Sequence, residues 1–133
     1  MKNTIITAAL LTCVLAFSGP ALAGNGDPAP KGWLVVRSGV ANDKANYDKE
    51  DSDINGKLEG VSVLCAKVND EAVAIQGLIN TDTTRVWGPN RGVSSTTTVI
   101  NQGGSVIIDA LRGNPNHCLI NGLTLSQIKG IWH

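Results

Sequence analysis

Residues 61–76 read Val-Ser-Val-Leu-Cys-Ala-Lys-Val-Asn-Asp-Glu-Ala-Val-Ala-Ile-Gln, and the fold turns on how this stretch is taken. Val61 to Val68 is rich in β-branched and aliphatic residues, Asn69-Asp70 is a two-residue turn signal, and Glu71 to Gln76 is a second short run. The pattern predicts a β-hairpin. With a two-residue turn, Leu64, Ala66, Val68, Val73 and Ile75 share one face, while Val63, Cys65 and Ala74 share the other. Both faces are largely apolar, which places the hairpin in the middle of a sheet with Cys65 aimed at whatever carries Cys118.

Upstream, Trp33-Leu34-Val35-Val36 predicts a first strand, and residues 41–56 read as a long Asn/Asp/Lys-rich loop with little apolar content beyond Tyr47 and Ile54. Downstream come Arg85-Val86-Trp87, a Gly-Pro-Asn-Arg-Gly turn at 88–92, a Thr-rich strand from Ser95 to Ile100 and a turn at Gln102-Gly103-Gly104. Residues 105–113 carry both strand and helix signals: Val106-Ile107-Ile108 favours a strand, whereas Ser105, Arg112 and Gly113 fit the caps of a short helix. The strand is preferred. The chain closes with Cys118-Leu119-Ile120, an Asn121-Gly122 turn, and Leu123-Thr124-Leu125 leading to Trp132. The expected fold is mostly β, a small single-domain antiparallel sandwich or barrel with one disulfide. A short β-solenoid is the alternative, from the recurrence of Ile-polar-Gly at Ile54, Ile75, Ile100 and Ile120. Aliphatic-polar-Gly is also how ordinary strands end in turns.

The first residues follow the grammar of a signal peptide. Lys2 is the positive region, Ile5 to Phe17 the apolar run, Pro20 the breaker, and Ala21-Leu22-Ala23 the small-residue cleavage site. Residues 1–23 are therefore expected to be removed, leaving a flexible lead at 24–32 and one β-rich domain at 33–133. The apolar run is shorter than the roughly 20 residues a membrane helix needs, so no transmembrane anchor is expected. Losing Cys13 with the signal leaves Cys65 and Cys118, a natural disulfide pair in an exported chain, worth about 4 kcal/mol in the chain-entropy model. Location in the periplasm or outside the cell follows.

Losing Lys2 leaves ten basic residues against eleven acidic ones, with no basic cluster. Nucleic acid is therefore not an expected partner, since binding it needs a concentrated positive surface. Asp51-Ser52-Asp53-Ile54-Asn55-Gly56-Lys57-Leu58-Glu59 resembles the first nine positions of the EF-hand calcium loop. The resemblance implies Ca²⁺ held by Asp51, Asp53 and Asn55, the Lys57 carbonyl and Glu59. It departs at the twelfth position, where Ser62 stands in place of a bidentate Glu. The plainer reading is a solvated polar loop.

Hydrolytic chemistry needs a base, and the histidines are His117 and His133. No Gly-x-Ser-x-Gly elbow accompanies them. Trp87, flanked by Arg85 and Arg91 beside the 88–92 turn, is the candidate ligand-binding group, because an exposed indole stacks on sugars and anchors protein interfaces. The functional expectation is an exported, non-enzymatic interaction protein that binds a protein or glycan through its loops. A small secreted hydrolase or toxin using His117, and a calcium-stabilised adhesion module, are the alternatives.

Overall fold

The computed structural model describes residues 24–110 and 114–133; the signal peptide read at 1–23 and the end of the ambiguous segment, 111–113, lie outside the described residues. The protein is mostly β. Among the described residues, eight strands form an antiparallel five-stranded sheet and a small three-stranded one, without closing a barrel. The large sheet contains β1 (Trp33–Ser38), β4 (Val61–Lys67), β5 (Arg91–Ser95), β6 (Ser105–Ile108) and β7 (His117–Asn121), in the order β5-β1-β4-β7-β6. The small sheet contains β2 (Asp51–Ser52), β3 (Lys57–Glu59) and β8 (Leu123–Thr124), in the order β2-β3-β8. Antiparallel pairing throughout the large sheet excludes the solenoid, whose strands would stack in parallel.

The hairpin expected at 61–76 is half right. Val61–Lys67 is the central strand β4, but Glu71–Thr81 is an α-helix, α1. Asp70 is its N-cap, accepting the Val73 N–H at 3.2 Å, and Glu71 puts negative charge in the first turn. Helical spacing brings Ala74, Ile75 and Leu78 onto the sheet and turns Val73 outward, 70% exposed, whereas alternation would have buried Val73 beside Ile75. The Thr-rich stretch is corrected in the same way. Arg91–Ser95 is the strand β5, and Thr96–Asn101 is the short helix α2, capped by Ser95. Threonine is a poor helix former, yet Thr96 is fully buried, donating to the Pro30 carbonyl (2.6 Å) and accepting from the Trp33 N–H (3.0 Å). Tertiary hydrogen bonds override the propensity.

Both faces of β4 carry core residues, while Ser62 and Lys67 are exposed. Val61, Val63 and Cys65 face the larger core with Val35, Leu58, Val106, Ile120, Leu123 and Ile128, covered by the small sheet and α3 (Leu125–Gly130). On the opposite face Leu64 joins Leu34, Val36, Val93 and Leu78 of α1, with Trp87 packed at the margin. The Cys65–Cys118 disulfide links the neighbouring strands β4 and β7, with 5.9 Å between Cα atoms, so it ties one sheet together instead of joining two layers. The segment read as a flexible lead runs along the edge of β6: Gly26 and Ala29 donate to Ile108 and Val106 carbonyls, and Ala29 is buried. No described helix is long and apolar enough to cross a membrane.

Candidate functional site

Sheet register assembles the site. In the β4–β7 pair Leu64 lies opposite His117 and Ser62 opposite Leu119, so Ser62 and His117 are diagonal neighbours on one face. In the β6–β7 pair the ladder runs to Ile108 opposite Cys118, and the Asp109 N–H then donates to the His117 carbonyl at 2.9 Å. Asp109 thus stands beside His117 on the side away from Ser62.

The three side chains form a hydrogen-bonded chain. His117 Nδ1 lies 3.1 Å from Asp109 Oδ2 and 3.0 Å from the Asp109 carbonyl oxygen. Both are acceptors, so Nδ1 carries a proton, and in the tautomer with that single proton Nε2 presents a lone pair. Ser62 Oγ is hydrogen-bonded to that Nε2 and, in this tautomer, donates to it. The His117 side chain is 11% exposed and Asp109 28%, while Ser62 is open to solvent. This arrangement lowers the cost of removing the Ser62 proton.

Ser62 lies where β4 parts from β1, whose pairing with it ends at Val36 opposite Leu64. The Arg37 guanidinium occupies the opening. It donates to the carbonyls of Ser62 (2.7 Å) and Asn46 (2.7 Å), pairs with Glu50 at 3.2 Å, and stacks over Tyr47 at 4.8 Å. The resulting cleft, about 250 Å³, is bounded by Ser62, His117, Arg37, Asp82, Arg85 and Trp87. Arg85 is half exposed and sits 3.6 Å from Asp82. The Trp87 indole N–H is buried with no hydrogen-bond partner among the described residues. A buried donor left unpaired costs about 1–3 kcal/mol.

Of the residues singled out from sequence for ligand binding, Arg85 and Trp87 therefore meet in one cleft. Arg91 does not: it borders a separate depression with Gly92, Trp132 and His133. A Cβ at Gly92 would come within 2.9 Å of the Trp132 ring, which is why that wall is glycine. His117 is the first residue of β7. Ser62 and Asp109 were missed, and no local motif marks them, because the three residues come from β4, the end of β6 and β7.

The calcium-like loop is a tight hairpin between β2 and β3, with Asp51 opposite Glu59. Asp53 Oδ1 accepts the N–H groups of Asn55 (2.8 Å) and Lys57 (2.9 Å), and the Lys57 carbonyl accepts the Asp53 N–H at 2.8 Å. Two of the oxygens assigned to calcium thus close the turn. Among the described residues no group of three or more His, Cys, Asp or Glu side chains gathers as a metal site. No family model, curated protein or solved structure matches this chain.

Proposed function

We propose that this is an exported recognition protein that takes a group of a protein or glycan partner into the cleft between Arg85, Trp87 and His117. The observation that carries the reading is the convergence of Arg85 and Trp87 on the wall of one cleft. The part-buried indole gives apolar contact, and the half-exposed Arg85 supplies charged donors at the rim. The ligand group is accordingly flat or apolar on one side and rich in oxygen acceptors on the other, as in a sugar ring or a carboxylate-bearing side chain. Export is supported by the signal-like residues 1–23 and by the disulfide.

Titrating the protein with a panel of envelope glycans and acidic peptides, read by tryptophan fluorescence, tests the proposal. A ligand that quenches the wild type should bind about 10-fold more weakly to Arg85→Ala. Arg91→Ala, outside the cleft, should bind as the wild type does. The opposite pattern would move recognition to the depression beside Trp132.

A further inference from the structure

We propose that the cleft also acts on what it holds: Ser62 is a nucleophile, His117 its general base, Asp109 the group that orients the base, and the substrates are short-chain carboxylic esters. The proposal deepens the recognition reading, since it places the chemistry in the same cleft. It stands on geometry. A hydroxyl is a weak nucleophile until a base takes its proton, and that base works when a third group fixes its tautomer and angle. All three conditions meet here. Ser62 is exposed and hydrogen-bonded to His117 Nε2, while Asp109 accepts from Nδ1 through both its carboxylate, at 3.1 Å, and its carbonyl, at 3.0 Å. The double acceptance holds the ring with Nε2 free to receive a proton. The order along the chain is Ser62, Asp109, His117, and the Cys65–Cys118 bridge locks the two strands that bring Ser62 to His117.

A structural purpose for the same contacts accounts for less. A hydroxyl on an open strand surface finds its partners in water, and a histidine needs no carboxylate on Nδ1 to fill a place in a sheet. The position of the cleft adds to this, because it opens on the Ser62 hydroxyl and brings a cation beside it. Arg37 Nη1 is 2.7 Å from the Ser62 carbonyl and also borders the cleft, which places a cation at its edge near the site where an oxyanion would form. The cleft's volume of about 250 Å³ lies below the usual range for drug-sized ligands, and this sets the short acyl chain. An ester is the substrate, because one arginine donor is modest support for an oxyanion and an alcohol departs more easily than an amine.

The steps balance with water as the co-reactant. Ser62 Oγ bonds to the ester carbonyl carbon as its proton passes to His117 Nε2. The carbon–alkoxy bond breaks, and the alkoxy oxygen leaves as an alcohol with that proton. Water then attacks the acyl group on Ser62, giving its proton to His117. The Ser62–acyl bond breaks, the proton returns to Oγ, and the carboxylic acid departs.

The test uses the full exported chain with p-nitrophenyl acetate and p-nitrophenyl butyrate as substrates and a fluorophosphonate as trapping agent. Expected are release of p-nitrophenol above background and one phosphonyl group per molecule, mapped by peptide mass to Ser62. Ser62→Ala should abolish labelling, and His117→Gln should slow it by about 100-fold or more. Asp109→Asn, which keeps the shape but reverses the hydrogen bond to Nδ1, should slow it by about 10-fold or more. Circular dichroism and the mass of the intact disulfide confirm that each variant is folded; if His117→Gln is not, Asp109→Asn and Ser62→Ala carry the test. A folded wild type that stays unlabelled at Ser62, or that hydrolyses the esters as fast as Ser62→Ala does, overturns the nucleophile. Ligand binding that depends on Arg85 would survive that outcome. Conversely, labelled Ser62 with binding indifferent to Arg85→Ala would keep the chemistry and remove the recognition reading.

Discussion

Tyr47 shows how much one side chain can hold in a chain short of aromatics. Its hydroxyl donates to the Ala41 carbonyl and accepts the Trp132 indole N–H at 2.8 Å, while Arg37 lies over its ring. Burial raises the Tyr47 pKa; the Trp132 hydrogen bond and the Arg37 charge oppose that rise, and Glu50 adds to it. In the unfolded chain the phenol ionises near 10.0 and in the folded protein only at higher pH, so its contribution is fully present below pH 10 and is lost as pH rises through the folded value. Thermal melts across the alkaline range should show stability falling above about pH 10. Tyr47→Phe should lower stability at neutral pH by about 1–3 kcal/mol, because the Ala41 carbonyl and the Trp132 N–H lose their partner. The variant should also flatten the alkaline decline, and an unchanged decline would place its source in other groups.

At the scale of elements, the boundary between β4 and α1 was the hardest to see in the sequence. Asn69-Asp70 satisfies a hairpin turn and a helix N-cap equally well, and Glu71 to Gln76 alternates as readily as it spirals. The decision comes from residues further on, since Leu78 completes a helical stripe with Ala74 and Ile75 over Leu34 and Leu64. Asp70→Ala removes the cap and should cost about 1 kcal/mol, read as a lower Tm with the sheet signal unchanged. A neutral result would show that packing of the stripe alone holds the helix. The β2–β3 hairpin carries the same lesson. Its Asp/Asn/Gly content, which resembles a calcium loop, serves the turn through Asp53.

The molecule as a whole is a five-stranded sheet covered by a small sheet and α3 on one face and by α1 with Trp87 on the other. The disulfide crosses its middle, joining β4 to β7 where both cysteines are buried. Reducing it should cost about 4 kcal/mol, because more than fifty residues regain freedom in the unfolded chain. For a domain of this size that is a fall in Tm of roughly 15 °C or more, measured by calorimetry with and without reductant under denaturing exchange. The same loss would loosen the register that brings Ser62 to His117, so the ester hydrolysis proposed for Ser62 should fall along with stability. A reduced protein that melts as the oxidised one does would leave the sheet held by its hydrogen bonds and core alone.

Composition and alternation were enough to establish a β-rich chain, the apolar residues on both faces of Val61–Lys67 and the pairing of Cys65 with Cys118, because each depends on the residues themselves or on the strand they occupy. They also singled out Arg85 and Trp87, whose chemistry is legible wherever they stand. The helix at 71–81, the helix made of threonines and the hydrogen-bonded chain of Ser62, His117 and Asp109 were decided by tertiary structure. The physical reason is the range of the forces involved. Strand propensity and apolar periodicity act over a few neighbours, whereas a hydrogen bond between β4 and β7 depends on a register set across the whole sheet, and a residue shifted by one position in that register would have turned Ser62 to the opposite face.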